Sequence, residues 1–152
     1  MSQSVADWMT ADVLTVTPDT PLPEAVQLLV DRKIGGLPVV DDTGKLVGVI
    51  SESDLMWQEK GVEQPPYMMF LGGVIYFQNP ATYERDLHKA LGQTVGEVMS
   101  SHTVSVSANT SLPVAARIMH DKKIHRLPVV DADRHPIGII TQSDIVRAIA
   151  AV

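Results

Sequence analysis

The chain has 152 residues, of which 45% are hydrophobic, so it is long and apolar enough to bury a core. Its net charge of −6 argues against nucleic-acid binding through a general positive field, and its longest apolar run is too short to span a bilayer. The absence of cysteine excludes disulfides and thiolate chemistry. Together with an N-terminus that lacks the pattern of a secretion signal, it predicts a cytoplasmic protein.

An internal repeat organises the sequence: residues 5–57 align with residues 95–147 without a gap, at a constant offset of 90. The strings KIGGLPVVD, which starts at Lys33, and KIHRLPVVD, which starts at Lys123, form the clearest matching pair. Two copies indicate a pseudo-two-fold pair that shares a core rather than an open array. We therefore assign motif 1 to residues 1–57, an inserted linker to residues 58–93, and motif 2 to residues 94–152.

Each copy is predicted to fold in the order β-α-β-β-α. In the first copy the pattern predicts an extended piece at Leu14–Val16, a helix capped by Thr20 with Pro21 at its first position, strands at Leu37–Val40 and Leu46–Ile50, and a helix from about Glu52. Thr110 takes the capping place in the second copy. Because about three strands with helices on one face leave too small a core, the two copies are expected to pack through their sheets. The predicted class is a mixed α/β (α+β) fold.

The linker at residues 58–93 belongs to neither copy. The pair Pro65-Pro66 marks the end of a regular element, and the segment Tyr67–Phe77 is apolar and contains two glycines. The segment Ala81–Leu91 is predicted to form a charged helix. The apolar segment either tucks against the domain's own surface or forms a docking surface for a second copy or another protein. Its flanks carry no basic cluster, which argues against a membrane role.

The strings Ser51-Glu-Ser-Asp54 and Thr141-Gln-Ser-Asp144 each stand where a predicted strand ends and a helix begins. One interpretation is structural, because Ser or Thr followed three residues later by an acid forms a capping box. The other is functional, because an outward-facing carboxylate accepts hydrogen bonds from both hydroxyls of a ribose, and a helix N-terminus favours a nearby phosphate. The two interpretations are compatible. The candidate ribose-binding residues are Asp54, Asp144, Ser51, Ser53, Thr141 and Ser143.

The second candidate feature lies just before the Leu-Pro-Val-Val string of each copy. In the first copy Gly35 and Gly36 would let a ligand approach the backbone closely. In the second copy His125 and Arg126 replace them, and a guanidinium suits a phosphate while an imidazole adds a hydrogen bond. The alternative is that the glycines serve a turn and that Arg126 is a solvated charge.

The sequence carries no recognisable catalytic or metal-binding pattern. None of the five histidines stands in a metal-ligand spacing such as HExxH, and the chain has no Walker A, GxGxxG or GxSxG string. The Ser/Thr-x-x-Asp strings have no activating base nearby in sequence. We therefore predict that the chain is not an enzyme and holds no resident metal.

The two repeated strings, KIHRLPVVD and the following IGIITQSD, together with their counterparts in the first copy, resemble the CBS motif. In that family two motifs pair their sheets into a Bateman module, and many members bind adenosine compounds in two clefts. The resemblance implies that Asp54 and Asp144 hold ribose. It also implies that Leu14, Ile34, Val104 and Ile124 contact adenine, and that His125, Arg126, Gly35 and Gly36 approach the phosphates.

The resemblance also implies a crossed pairing of the site residues. The cleft of Asp54 would receive Ile124, His125 and Arg126, whereas the cleft of Asp144 would receive residues 34–36. The first cleft should then prefer charged nucleotides, and the second should bind weakly or through backbone amides. The 36-residue linker departs from the shorter connection of many family members, and this puts ligand access and the usual dimer shape in question.

The resulting functional prediction is a regulatory sensor of AMP, ADP or ATP, with or without Mg²⁺, that requires no cofactor. It would act in trans on a partner protein or on its own assembly. The family implies a homodimer, and apolar residues such as Trp8, Met9, Trp57 and Val146 support one indirectly. The alternative is a ligand-independent scaffold for dimerisation or protein interaction that works through residues 67–77.

Overall fold

The computed structural model describes residues 3–57, 93–101 and 103–151. The predicted linker features, the apolar segment at residues 67–77 and the helix at residues 81–91, lie outside these residues. The described helices are α1 (Val5–Trp8), α2 (Leu22–Arg32), α3 (Glu52–Trp57), α4 (Val95–Val98), α5 (Leu112–Lys122) and α6 (Gln142–Ala150). The described strands are β1 (Thr10–Ala11), β2 (Gly36–Val40), β3 (Leu46–Ser51), β4 (Arg126–Val130) and β5 (Pro136–Thr141). The mixed α/β class is therefore confirmed.

The predicted long helix of each copy forms at equivalent positions, since α2 and α5 are related by the repeat offset of 90. On α2 the side chains of Leu22, Ala25, Val26 and Leu29 are buried, which is the spacing of one helical face. In the part of the chain that the structure describes, no helix has the length and apolarity that a membrane span needs.

The predicted caps of these two helices are wrong by one residue. Pro21 and Ser111 occupy the N-cap positions, so Thr20 and Thr110 precede the caps and Pro21 is not the first helical residue. The hydroxyls of the two threonines instead accept hydrogen bonds from the amides three residues earlier, at 3.0 and 3.2 Å. These local bonds close a turn ahead of each helix, which delays the start of the helix.

The two predicted strands of each copy pair with each other. In the first copy β2 pairs with β3, and both strands agree with the sequence prediction to within one residue. In the second copy β4 and β5 are antiparallel, with Leu127 opposite Ile140. Both of these side chains are fully buried, as the apolar runs predict.

The opening segment of each copy packs against the other copy, a feature that the sequence analysis did not predict. The strand β1 extends the β4–β5 pair of the second copy, with Thr10 opposite Ile139. The equivalent residue of the second copy, Ser100, forms an antiparallel bridge with Val49 on β3 of the first. A Cβ added to Gly48 would lie 2.9 Å from the Ser100 carbonyl oxygen, so the missing side chain permits this close approach.

This exchange builds two compact units from separate stretches of the chain. Among the described residues, one unit holds residues 3–14, 40–47 and 103–151, and the other holds residues 15–39, 48–57 and 93–101. The compact units therefore differ from the sequence repeats. The first unit has a core to which α1, α5, α6 and both strands of the second hairpin contribute. Its buried members are Val5, Val106, Leu112, Ala115, Met119, Leu127, Val129, Ile140, Ile145 and Ala148.

The hairpin turns are held by aspartate side chains. Asp41 Oδ1 accepts hydrogen bonds from the Thr43 hydroxyl at 2.6 Å, the Thr43 amide at 2.9 Å and the Lys45 amide at 3.0 Å. The Thr43 hydroxyl and the Lys45 amide lower the pKa of Asp41 below its usual value of 3.8. In the second hairpin the amides of His135 and Asp133 lower the pKa of Asp131 in the same way.

We expect Thr43→Val to raise the pKa of Asp41 toward 3.8, because it removes the hydrogen bond with the largest lowering effect. A carboxylate whose pKa is lower in the folded state stabilises the fold above pH 3.8, and this stabilisation is lost as the pH falls through the lowered pKa. Carboxyl NMR titration measures the value directly. A pKa of Asp41 at or above 3.8 in the unsubstituted protein would contradict this description of the turn.

Candidate functional site

The first candidate site is the junction of β3 and α3, called junction 1 and formed by residues 51–54. The Ser51 amide donates to Asp54 Oδ2 at 2.9 Å, the Ser51 hydroxyl donates to the same oxygen at 3.1 Å, and the Asp54 amide donates back to Ser51 Oγ at 3.4 Å. The Ser100 hydroxyl donates to Asp54 Oδ1 at 2.8 Å. Asp54 is half-buried. One oxygen of the carboxylate thus caps its own helix, and the other reaches a residue 46 positions away.

The second candidate site is the junction of β5 and α6, called junction 2 and formed by residues 141–144. The Thr141 amide donates to Asp144 Oδ2 at 2.8 Å, and the Asp144 amide donates to Thr141 Oγ1 at 3.3 Å. A guanidinium nitrogen of Arg147, Nη2, donates to Asp144 Oδ1. The Asp144 side chain is only 5% exposed. The Asp144 carboxylate is therefore buried and paired with Arg147, and it does not face outward as the functional interpretation expects.

The capping interpretation of both strings is confirmed, because each carboxylate closes a reciprocal pair of hydrogen bonds with its own Ser or Thr. The hydroxyls of Ser51 and Thr141 take part in this capping. Of the other ribose candidates, Ser53 is half-buried and Ser143 is exposed on the first turn of its helix. The ribose-binding roles of all six residues stay predictions.

The glycine pair and the His-Arg pair lie beside the junction of their own copy. The Gly35 carbonyl accepts a hydrogen bond from the Glu52 amide at 3.1 Å, and the His125 carbonyl accepts one from the Gln142 amide at 3.0 Å. Arg126 stands opposite Thr141 in the β4–β5 ladder. Within each copy the sheet therefore brings a candidate phosphate-binding pair to the start of the helix that carries the aspartate.

The four candidate adenine contacts differ in exposure. Leu14 is 37% exposed, whereas Ile34, Val104 and Ile124 are half-buried. Val104 and Ile124 pack against the core of the first unit. These two side chains have a structural role that does not depend on a ligand, and their adenine-contacting roles stay predictions, as does the crossed pairing of the site residues.

Two residues at the junctions were missed by the sequence analysis. Arg147 follows Asp144 by three residues, a spacing at which helical side chains meet, so the pair was readable from the sequence. Ser100 had no such signal, because it lies 46 residues from Asp54 in the sequence and meets it only through the exchange of opening segments.

A third polar cluster lies in the turn between β4 and β5. One oxygen or nitrogen from each of Asp131, Asp133 and His135 lies within 4.8 Å of the others, an arrangement that could accept a metal ion. Asp131 and His135 already close the turn, and His135 Nε2 lies 3.1 Å from the Thr43 carbonyl oxygen. We attribute this cluster to turn formation.

Residues 5–59 and 95–151 each match the family model of the CBS domain. Over 149 residues the chain is 37% identical to the chloroplastic CBS domain-containing protein CBSX2 of Arabidopsis thaliana, and the match covers 95% of this chain. It covers 63% of that relative, so the chain spans less than two thirds of the length of the curated protein.

A crystal structure of CBSX2 in complex with AMP superposes with a TM-score of 0.72 at 35% identity, covering 97% of this chain and 96% of that one. The chain is also 31% identical over 135 residues to inosine-5'-monophosphate dehydrogenase of Thermoplasma acidophilum. That match covers only 21% of the dehydrogenase.

Proposed function

The chain belongs to the CBS-domain family, and from that membership we propose that it is a regulatory module that binds an adenine nucleotide such as AMP. The proposal assigns it no reaction of its own, since the similarity to a dehydrogenase covers only a fifth of that enzyme. A cytoplasmic location is part of the proposal.

The geometry of the two aspartates carries this proposal. At each junction Oδ2 is used by the helix cap, whereas Oδ1 accepts from a donor outside the box, Ser100 in one case and Arg147 in the other. An oxygen that accepts from an external side chain can equally accept from a ribose hydroxyl that takes its place. The complex of the relative CBSX2 with AMP supports the choice of an adenine nucleotide.

The pairs that flank the junctions would supply the phosphate contacts, each at the junction of its own copy, beside which it lies, rather than crosswise as the family resemblance implies. His125 is exposed and Arg126 is half-buried beside junction 2, whereas Gly35 and Gly36 beside junction 1 offer only backbone groups. A guanidinium carries a full positive charge and forms a bidentate pair with phosphate, whereas backbone amides are uncharged donors. Unequal phosphate preference of the two sites is therefore part of the proposal.

The output of the module would pass through α6 to the assembly of the chain or to a regulated protein. This helix carries Asp144 in its first turn and exposes Val146 and Ile149, whose side chains are 63% and 69% exposed. Residues three apart share a helical face, and such an apolar pair fits a second copy of the chain. A ligand at Asp144 would then bias a homodimer through one rigid element.

The double variant Val146→Asp and Ile149→Asp is expected to shift a homodimer to monomers, because burying two unpaired charges in an interface is costly. Multi-angle light scattering would measure the mass. Val30→Asp combined with Val114→Asp is the matched control, since these side chains are 48% and 51% exposed and lie outside the proposed face. An equal effect of the control, or a dimer that persists in the double variant, would remove α6 from the interface.

The proposed function is tested by the free energy of unfolding in the presence of AMP, ADP, ATP, NAD, S-adenosylmethionine or cyclic di-AMP, with GMP as the control. A ligand at 100 times its Kd should stabilise the fold by about 2.7 kcal/mol. Stabilisation by at least one adenine compound and none by GMP is the expected result. No stabilisation by any of them would favour the ligand-independent scaffold instead.

A further inference from the structure

The carboxylate of Asp144 is closed by a side chain of its own helix. Its Oδ2 is used by the Thr141 amide, and its Oδ1 accepts from the guanidinium of Arg147. The Asp144 side chain is 5% exposed, whereas that of Arg147 is 61% exposed. The arginine therefore lies over a buried acceptor while most of its own surface stays in solvent, so it can leave without disturbing the core.

The equivalent carboxylate at junction 1 is covered differently. Asp54 Oδ1 accepts from the neutral Ser100 hydroxyl, and the residue that the repeat offset aligns with Arg147 in the sequence is the uncharged Trp57. A hydroxyl can rotate and can also accept a hydrogen bond, so it can stay beside a bound ribose. A guanidinium only donates, and it competes with every other donor for the same oxygen.

We propose that Arg147 is an internal competitor of the ligand at Asp144 and makes that site select charged nucleotides over nucleosides. This inference rests on the proposed function, in which Asp144 binds ribose. A ribose hydroxyl that binds Oδ1 displaces the guanidinium of Arg147 into solvent. A nucleoside has no charged group with which the displaced guanidinium could pair. A nucleotide offers a phosphate, which pairs with a guanidinium in bidentate fashion, so the displaced arginine regains a partner.

The test isolates Asp144 by using an Asp54→Ala background, with an Asp54→Asn background as a second form should the first fold poorly. Adenosine and AMP are titrated calorimetrically into each background with and without Arg147→Met, which removes the charge and keeps an apolar stem. Arg117→Met is the matched control, because it removes the same charge from an exposed position on α5.

We expect Arg147→Met to tighten adenosine binding by about 2- to 5-fold, which is the range of a solvent-screened ion pair. The affinity for AMP should fall relative to the affinity for adenosine. The gain for adenosine should shrink at high salt, because the competing guanidinium is largely exposed to solvent. Arg117→Met should change neither the affinity for adenosine nor the ratio of the AMP and adenosine affinities.

Unchanged or weaker adenosine binding in the Arg147→Met variant would overturn the inference while the proposed function stands. The inference would also be overturned if AMP binds the wild-type protein but neither Asp54 background, because Asp144 would then hold no ribose. If no adenine compound binds the wild-type protein, the proposed function is wrong, and this inference, which rests on it, is wrong as well.

Discussion

Asp54→Ala is expected to weaken AMP binding at junction 1 by about 10- to 150-fold. The loss corresponds to the 1.5–3 kcal/mol of hydrogen bonds to a charged group, since the ribose hydroxyls would lose the acceptor oxygen that Ser100 now occupies. Isothermal calorimetry measures this loss as a reduced affinity or as the disappearance of one class of sites.

The chain offers a matched control for this variant. The Ser4 amide donates to Asp7 Oδ2 at 3.0 Å, so Asp7 caps α1 with the same box that Asp54 forms at junction 1. Asp7 is exposed and belongs to neither junction. Asp7→Ala should therefore destabilise α1 without weakening AMP binding. If both variants lose the same affinity, the effect of Asp54 comes from stability alone and the ribose role is wrong.

Leu127→Ala is expected to lower the free energy of unfolding by about 2–5 kcal/mol. Leu127 is fully buried in the core of the first unit, so truncation removes apolar contacts and leaves a cavity. Val114→Ala serves as the control, because Val114 is 51% exposed and lies outside the proposed dimer face, so its truncation should change stability by no more than about 0.5 kcal/mol. Urea denaturation measures both. A loss below about 1 kcal/mol for Leu127→Ala would contradict the placement of this residue.

The exchange of opening segments can be tested in the same core with a double-mutant cycle. Val5 and Val95 are equivalent in the repeat and both fully buried, but only Val5 belongs to the cluster that contains Ile140. Val5→Ala and Ile140→Val should therefore couple by at least about 0.5 kcal/mol, whereas Val95→Ala and Ile140→Val should be additive. The reverse result would mean that each copy packs its own opening segment.

Much of the fold could be predicted from the sequence, because local patterns determine it. The spacing of Leu22, Ala25, Val26 and Leu29 predicts one buried helical face, and that face is buried. The helix caps lie one residue later than the sequence predicts, because a Ser or Thr hydroxyl can close a turn or cap a helix, and the sequence pattern does not separate these uses.

The exchange of opening segments could not be predicted, because the two copies are too alike. Val5 and Val95 have the same residue type and equivalent surroundings in the sequence, so no local pattern says which copy either one packs against. Gly48 and Gly138, which admit the neighbouring backbone, are visible in the sequence only as glycines within strands.

At the candidate site the sequence indicated which residues matter but not what surrounds them. The capping boxes at Asp54 and Asp144 follow from a three-residue spacing, and both form. The difference between the two carboxylates comes from Ser100 and Arg147, which the repeat pattern does not mark. The asymmetry of the two copies therefore lies in what covers each carboxylate as well as in the glycine and His-Arg pairs.

The most direct test of the account is an amide NMR titration of the protein with AMP. We expect the largest shift changes at the junction amides, those of Ser51 and Glu52 or those of Thr141 and Gln142, because they bond to the aspartates and to the flanking pairs. The turn amides at Thr43 and Asp133 should stay unchanged. Saturable binding with no shift change at either junction, or no binding at all, would contradict the claim that these junctions hold the nucleotide.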